Sequence, residues 1–80
     1  MQVVGPSPER VADLMAQIER HLEANPFACD SAEGIARWWI RDAGAAVPEV
    51  SAALDRLVRL GRLERLQRHG CETFRAIHPT

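Results

Sequence analysis

The chain has 80 residues, of which 26% are charged and 46% hydrophobic, and its formal net charge is −1. This length fits one small domain over residues 1–80, in which most large apolar side chains are needed for stability. The low net charge excludes a general electrostatic attraction to nucleic acid or anionic membranes. The charge is uneven, however, because residues 1–40 sum to −3 and residues 41–80 to +2, and all ten basic residues are arginine.

The sequence predicts a cytoplasmic protein. Its start, MQVVGPSPER, lacks the basic and apolar regions of a secretory signal. No apolar run approaches the ~20 residues that a membrane span needs. Without a secretion signal, Cys29 and Cys71 are expected to be free thiols. Residues 1–6 are expected to form a flexible lead-in.

A first helix is predicted over residues 8–24. Ser7 is a good N-cap and Pro8 suits the first helical position. The Asn25-Pro26 pair ends the helix. Its apolar residues share one face at helical spacing: Val11, Leu14, Met15, Ile18 and Leu22.

A second helix is predicted over about residues 31–41. The short apolar segment Phe27-Ala28-Cys29 before it could add a brief strand to a sheet edge. Asp30 and Glu33 have capping-box spacing, with Asp30 in the cap position. Residues 42–47 are expected to form the turn that follows.

A third helix and a hairpin complete the predicted fold. The helix covers residues 48–60 and ends at Gly61. Its apolar residues cluster on one side of a helical wheel: Val50, Ala53, Leu54, Leu57, Val58 and Leu60. Two short apolar segments flank Arg68-His69-Gly70-Cys71, as in a β-hairpin.

This last region resembles bacterial winged helix-turn-helix domains. The family pattern is a helix of the form ALxxLvxxGxLeR followed by a charged hairpin, the wing. Ala53-Leu54, Leu57, Gly61, Leu63 and Arg65 occupy the corresponding places, and the GIARWW segment fits the helix before the turn. Over about residues 8–78, the resemblance implies an α+β fold of three helices and a C-terminal hairpin. Winged helices bind DNA, RNA or proteins, so the resemblance is specific for fold only.

In DNA-binding members of this family, the third helix enters the major groove and the wing contacts the flanking backbone. Carried over by position, the helix residues are Ser51, Ala52, Asp55, Arg56 and Arg59, and the wing residues are Arg65, Gln67, Arg68, His69 and Arg75. Glu49 and Asp55 make the charge of this helix face zero. Asp55 is also placed to pair with Arg59, which would leave Arg56 as the one free base reader.

Two interpretations of the wing arginines remain open. Arg65, Arg68 and Arg75, with Arg62 and His69, could bind phosphates on both sides of a groove. Alternatively, they form a solvated hairpin face paired with Glu64 and Glu72.

The apolar residues of the second helix cover more of its circumference than one buried face. Trp38 and Ile40 lie at opposite edges of an arc of roughly 200°, so one of them is expected to be exposed. An exposed tryptophan would suit a partner or self-association surface. The alternative is that a small core uses both Trp38 and Trp39.

No metal, cofactor or catalytic site is predicted. His69-x-Cys71 is too tight for the usual zinc spacings, even with Cys29, His21 or His78 added. Asp30 and Glu33 are explained as helix-start residues. The function expected is therefore non-enzymatic: duplex DNA binding as a transcriptional regulator, in a homodimer, or, in the alternative, protein interaction as an adaptor without DNA.

Overall fold

The computed structural model describes residues 7–41 and 46–77. These residues form the predicted α+β architecture of three helical elements and a C-terminal hairpin. The helical elements are α1 (Pro8–Ala24), α2 (Ala32–Gly34) with the π-helical segment (Ile35–Trp39) that continues it, and α3 (Val47–Arg59); the strands are β1 (Cys29–Asp30), β2 (Leu63–Arg68) and β3 (Cys71–Ala76). The predicted lead-in and residues 42–45 of the predicted turn lie outside the described residues.

Helix α1 has the bounds that its capping residues predict. The Ser7 hydroxyl accepts a hydrogen bond from the Arg10 backbone N–H at 3.1 Å, and Pro8 follows as the first helical residue. The helix ends where the Asn25 backbone N–H and side-chain amide both donate to the His21 carbonyl. The buried face consists of Val11, Leu14, Ile18 and Leu22.

The N-cap of the second helical element lies one residue later than predicted. Ser31, not Asp30, is the N-cap, and its hydroxyl accepts from the Gly34 N–H at 3.1 Å. The Asp30 carboxylate instead accepts from the Ser31 N–H at 2.8 Å. Asp30 also lies so close to Gly34 that a Cβ at that position would overlap its carboxylate. The brief strand predicted before this helix is present as β1, although it begins at Cys29 and leaves Phe27 87% exposed.

The end of the second helical element decides which of its large apolar residues are buried. The element becomes π-helical at Ile35 and ends at Trp39, and Ile40 has an extended backbone at φ −97° and ψ 130°. Ile35, Trp39 and Ile40 are buried, whereas Trp38 is 72% exposed. The prediction that one of Trp38 and Ile40 is exposed is confirmed. Trp38 is the exposed residue, and Ile40, which is no longer helical, places its side chain in the core.

Helix α3 packs along α1 and supplies much of the core. Glu49 completes half of a capping box, because its carboxylate accepts from the Ala46 N–H at 3.2 Å. Gly61, at φ +75°, ends the helix in the left-handed conformation, and the Arg62 N–H donates to the Leu57 carbonyl. Leu60 was expected on the buried side but is 58% exposed, because it follows the last helical residue as the C-cap.

The sheet has the strand order β1-β3-β2, and all pairs are antiparallel. The hairpin turns at His69 and Gly70, whose φ angles of 52° and 78° match the two positive values of a type I′ turn. Leu63 and Phe74 face the helices and are 2% and 3% exposed. They close a core with Leu14, Ile18 and Leu54 of α1 and α3. In the described part of the chain, none of the helices has the length and apolar character required to cross a membrane.

Candidate nucleic-acid interface

The solvent-facing side of α3 contains the five helix residues that the resemblance assigns to DNA contact. Ser51, Arg56 and Arg59 are exposed, and Ala52 and Asp55 are partly buried. Glu49, which was expected on the same face, turns toward α1, where its carboxylate lies 3.6 Å from the Arg10 guanidinium. Short side chains at Ser51 and Ala52 would let another molecule approach the helix backbone closely.

Asp55 lies at the junction of α3 and the wing. Its carboxylate contacts the Arg59 guanidinium at 3.3 Å, so the helix ion pair predicted from the spacing is present. A second contact at 3.3 Å joins Asp55 to Arg65 in β2, which the sequence spacing did not predict. One carboxylate thus neutralises part of the charge of both arginines.

The two acidic residues of the wing, Glu64 and Glu72, also form ion pairs with wing arginines. Arg65 also contacts Glu72 at 3.4 Å, and its guanidinium lies 5.5 Å from the centre of the Phe74 ring. Arg75 donates to Glu64 at 3.1 Å across the two strands. These contacts match the alternative in which the hairpin arginines pair with Glu64 and Glu72. Such pairs are exposed and contribute about 0–1 kcal/mol each, so a phosphate could compete for the same guanidinium groups.

Three further predicted site residues lie on α3 and the hairpin. Arg68 is the last residue of β2, with its backbone opposite Cys71, and its side chain lies outside what the structure describes. His69 is exposed at the tip of the hairpin. Arg56 is exposed in the last turn of α3 and has no acidic partner among residues 7–41 and 46–77.

The structure also answers which of the two candidate partner-interface residues is exposed. Trp38 projects outward, whereas Ile40 is 7% exposed and packs with the core. Ile40 is therefore corrected from a surface candidate to a core residue, and the apolar surface at this element depends on Trp38.

The two cysteines are exposed on the same face of the sheet. Cys29 lies opposite Arg75, and Cys71 lies four residues before Arg75 on β3. At about 3.3 Å per residue, the two thiols are separated by roughly 13 Å along the strand, well beyond the reach of a disulfide. The described cysteines are therefore independent thiols rather than a paired site.

The helices and the antiparallel sheet define the class of protein as a small α+β domain with an arrangement compatible with winged-helix topology. No protein-family model, curated protein or solved structure matches the chain.

Proposed function

We propose that this protein is a winged-helix domain that binds duplex DNA as a homodimer, with α3 in the major groove and the β2–β3 hairpin along the flanking backbone. The observation that supports this best is Arg56, an exposed arginine on the uncovered face of α3 with no acidic partner among the described residues. Arginine is the side chain most often used to contact the guanine edge in the major groove.

The neighbours of Arg56 suit close approach to a duplex. Ser51 and Ala52 keep this side of α3 shallow, and the Ser51 hydroxyl can donate to a phosphate or a base edge. The helix has no asparagine or glutamine, so we expect few base contacts and a modest preference for particular sequences.

The wing ion pairs set the expected strength of phosphate binding. Arg65 and Arg75 must exchange their carboxylate partners for phosphates before they contribute to DNA affinity. Each phosphate neutralised lowers the slope of log affinity against log salt by about 0.9. Up to three contacts, from Arg65, Arg68 and Arg75, therefore give a slope between about −1 and −3.

A titration of random duplex DNA at low and moderate salt tests the proposal. Arg68→Ala should weaken binding to all sequences alike and make the slope shallower by about one unit. Arg56→Ala should instead reduce the difference in affinity between preferred and random sequences. Arg37→Ala is the matched control, because Arg37 is equally exposed and has no ion pair in the described residues but lies on the π-helical segment. Absence of binding at low salt would reject this function.

A second candidate function, a protein-interaction adaptor, is favoured by Trp38. A side chain of this size that is 72% exposed is a common anchor of protein interfaces. The acid–arginine pairs around Asp55 would also lower the attraction of this face to DNA. The adaptor predicts that random duplex DNA does not bind at low salt and that Trp38→Ala weakens association with the protein partner or a second copy.

A further inference from the structure

A cleft of about 260 Å³ lies between the C-terminal half of α1 and the C-terminal end of the π-helical segment, at Trp39 and Arg41. Polar and basic side chains line it, together with one buried aromatic ring: Gln17, Arg20, His21, Asn25, Trp39 and Arg41. The described lining residues include no residue of the proposed DNA interface and no acid.

Packing and hydrogen bonds fix the floor of the cleft. The His21 ring stacks on Trp39 with 4.6 Å between ring centres and an angle of 15° between the planes. Trp39 is only 7% exposed, so the stacked pair has little freedom to move. On the other wall, the Arg41 backbone N–H donates to the Gln17 side-chain oxygen at 3.1 Å and ties Arg41 to α1. The cleft is therefore organised before any ligand binds, which lowers the entropy cost of binding.

The two arginines of the cleft differ from most other described arginines in that they form no ion pair with a described carboxylate. Arg59, Arg62 and Arg65 each contact a carboxylate at 2.7–3.3 Å. Arg20 and Arg41 are exposed, and neither has an acidic partner in the part of the chain that the structure describes. Two guanidinium groups therefore border one cleft without an internal counter-charge from these residues.

Two nearby features could oppose an anion in this cleft. The end of α1 has exposed carbonyl groups, but Asn25 donates to the His21 carbonyl from both its backbone N–H and its amide, at 2.9 and 3.0 Å. Asp13 accepts from Gln17 at 3.0 Å one turn before the cleft, and it also contacts Arg10 at 3.6 Å. The Asp13 charge is thus already partly compensated. Glu23, three residues after Arg20 on α1, is exposed and does not line the cleft.

We propose that this cleft binds a small oxyanion, a ligand with phosphate or carboxylate groups. Arg20 and Arg41 supply planar donors that match the oxygen spacing of both groups. The ring of His21 also lines the cleft and offers a further donor. Binding here is independent of DNA binding, so this site can be tested whether or not the domain binds a duplex.

Trp39 provides a direct spectroscopic probe of the site. The chain has two tryptophans, and Trp38→Phe removes the exposed one and leaves Trp39 as the only indole. Inorganic phosphate and malonate are titrated separately into this variant, with sodium chloride at matched ionic strength as the blank. We expect a saturable change in Trp39 fluorescence with at least one of the two oxyanions and none with chloride.

Arginine variants in the same Trp38→Phe background test the assignment. Arg20→Gln and Arg41→Gln should each weaken oxyanion binding by about tenfold or more, because each removes a charged hydrogen-bond donor. Arg37→Gln should bind as the parent does, since Arg37 is exposed without lining the cleft. Response to phosphate alone identifies a phosphoryl ligand, and response to malonate alone identifies a carboxylate ligand. An unsaturable response, an equal response to chloride, or an equal loss in Arg37→Gln would overturn the proposal.

Discussion

The Asp55 carboxylate lies 3.3 Å from the Arg65 guanidinium, and this contact joins α3 to the first strand of the wing. Arg65 is in turn held by Glu72 and lies over the Phe74 ring. The helix face and the hairpin therefore form one electrostatic unit, in which a change to one acid alters the freedom of arginines on both elements.

Removing the Asp55 charge should affect stability only slightly. Asp55→Asn removes the partner of both Arg59 and Arg65, but these side chains are 39–76% exposed and Asp55 itself is 44% exposed. We expect the free energy of unfolding to fall by no more than about 1 kcal/mol at low salt, and by less at high salt because of screening. Urea denaturation at two salt concentrations measures this. A larger loss that persists at about 1 M salt, where the Debye length is only about 3 Å, would show that Asp55 has a packing role instead.

Freeing a wing arginine should strengthen DNA binding if the proposed function is correct. Glu64→Gln removes the partner of Arg75, whose guanidinium lies 3.1 Å away. The variant should bind random duplex DNA more tightly, with a salt slope steeper by about one unit. Glu23→Gln is the control, because it changes the net charge equally but removes an exposed acid that pairs with no described arginine. Equal effects of the two variants would mean that only net charge matters.

Replacing Trp39 should affect folding stability, whereas replacing Trp38 should affect association. Trp39→Ala should lower the free energy of unfolding by about 3–5 kcal/mol, because the ring is buried against His21. Ile40→Ala should cost about 2–5 kcal/mol for the same reason. Trp38→Ala should cost little and should weaken any self-association seen by sedimentation equilibrium. Strong destabilisation by all three variants, with association unchanged, would remove Trp38 as an interface residue.

Gly34 should tolerate a side chain only when Asp30 is shortened. Alanine normally stabilises a helix by about 1 kcal/mol relative to glycine. At Gly34, however, the new Cβ would displace the Asp30 carboxylate from the Ser31 N–H. Gly34→Ala should therefore be stabilising in an Asp30→Ala background and not in the parent, as measured by urea denaturation. Equal stabilisation in both backgrounds would contradict this account.

Both thiols should react in the folded protein. Cys29 and Cys71 are exposed, so a thiol reagent should titrate two groups without denaturant or added reductant. Their separation along the sheet predicts that mild oxidation gives no intramolecular disulfide. Mass spectrometry of the oxidised monomer checks the second point, and the loss of two mass units within one chain would contradict it.

Local sequence signals predicted most of the fold. Ser7, Pro8 and Gly61 mark helix boundaries through their own backbone preferences, which need no tertiary information. A helical wheel assumes that the helix continues, whereas Ile40 and Leu60 lie just beyond the last helical residue. The wheel therefore cannot decide which of Trp38 and Ile40 is exposed, and it groups Leu60 with the buried side of α3. The change to π-helix at Ile35 has no evident signal in the sequence.

Part of the ion-pair network was also accessible from the sequence. Once the turn is centred on His69-Gly70, antiparallel register places Glu64 opposite Arg75 and Arg65 opposite Phe74. The Asp55–Arg65 contact could not be derived in this way, because it depends on how the hairpin packs against α3. The cleft beside α1 was missed for the same reason: Arg20 and Arg41 are far apart in sequence and meet only through the fold.

The position of β2 at the end of the sheet has a consequence for aggregation. The Ile77 N–H donates to the Arg62 carbonyl, so in antiparallel register the odd-numbered residues Leu63, Arg65 and Gln67 direct their backbone groups away from β3. No described strand pairs with this edge of β2, and such an edge is a template for another strand. A second β2 aligned antiparallel about Arg65 would place the two Arg65 side chains against each other, and their repulsion would disfavour that pairing. This repulsion, reduced in each molecule by the Asp55 and Glu72 partners of Arg65, would work against extension of the sheet from one molecule to the next.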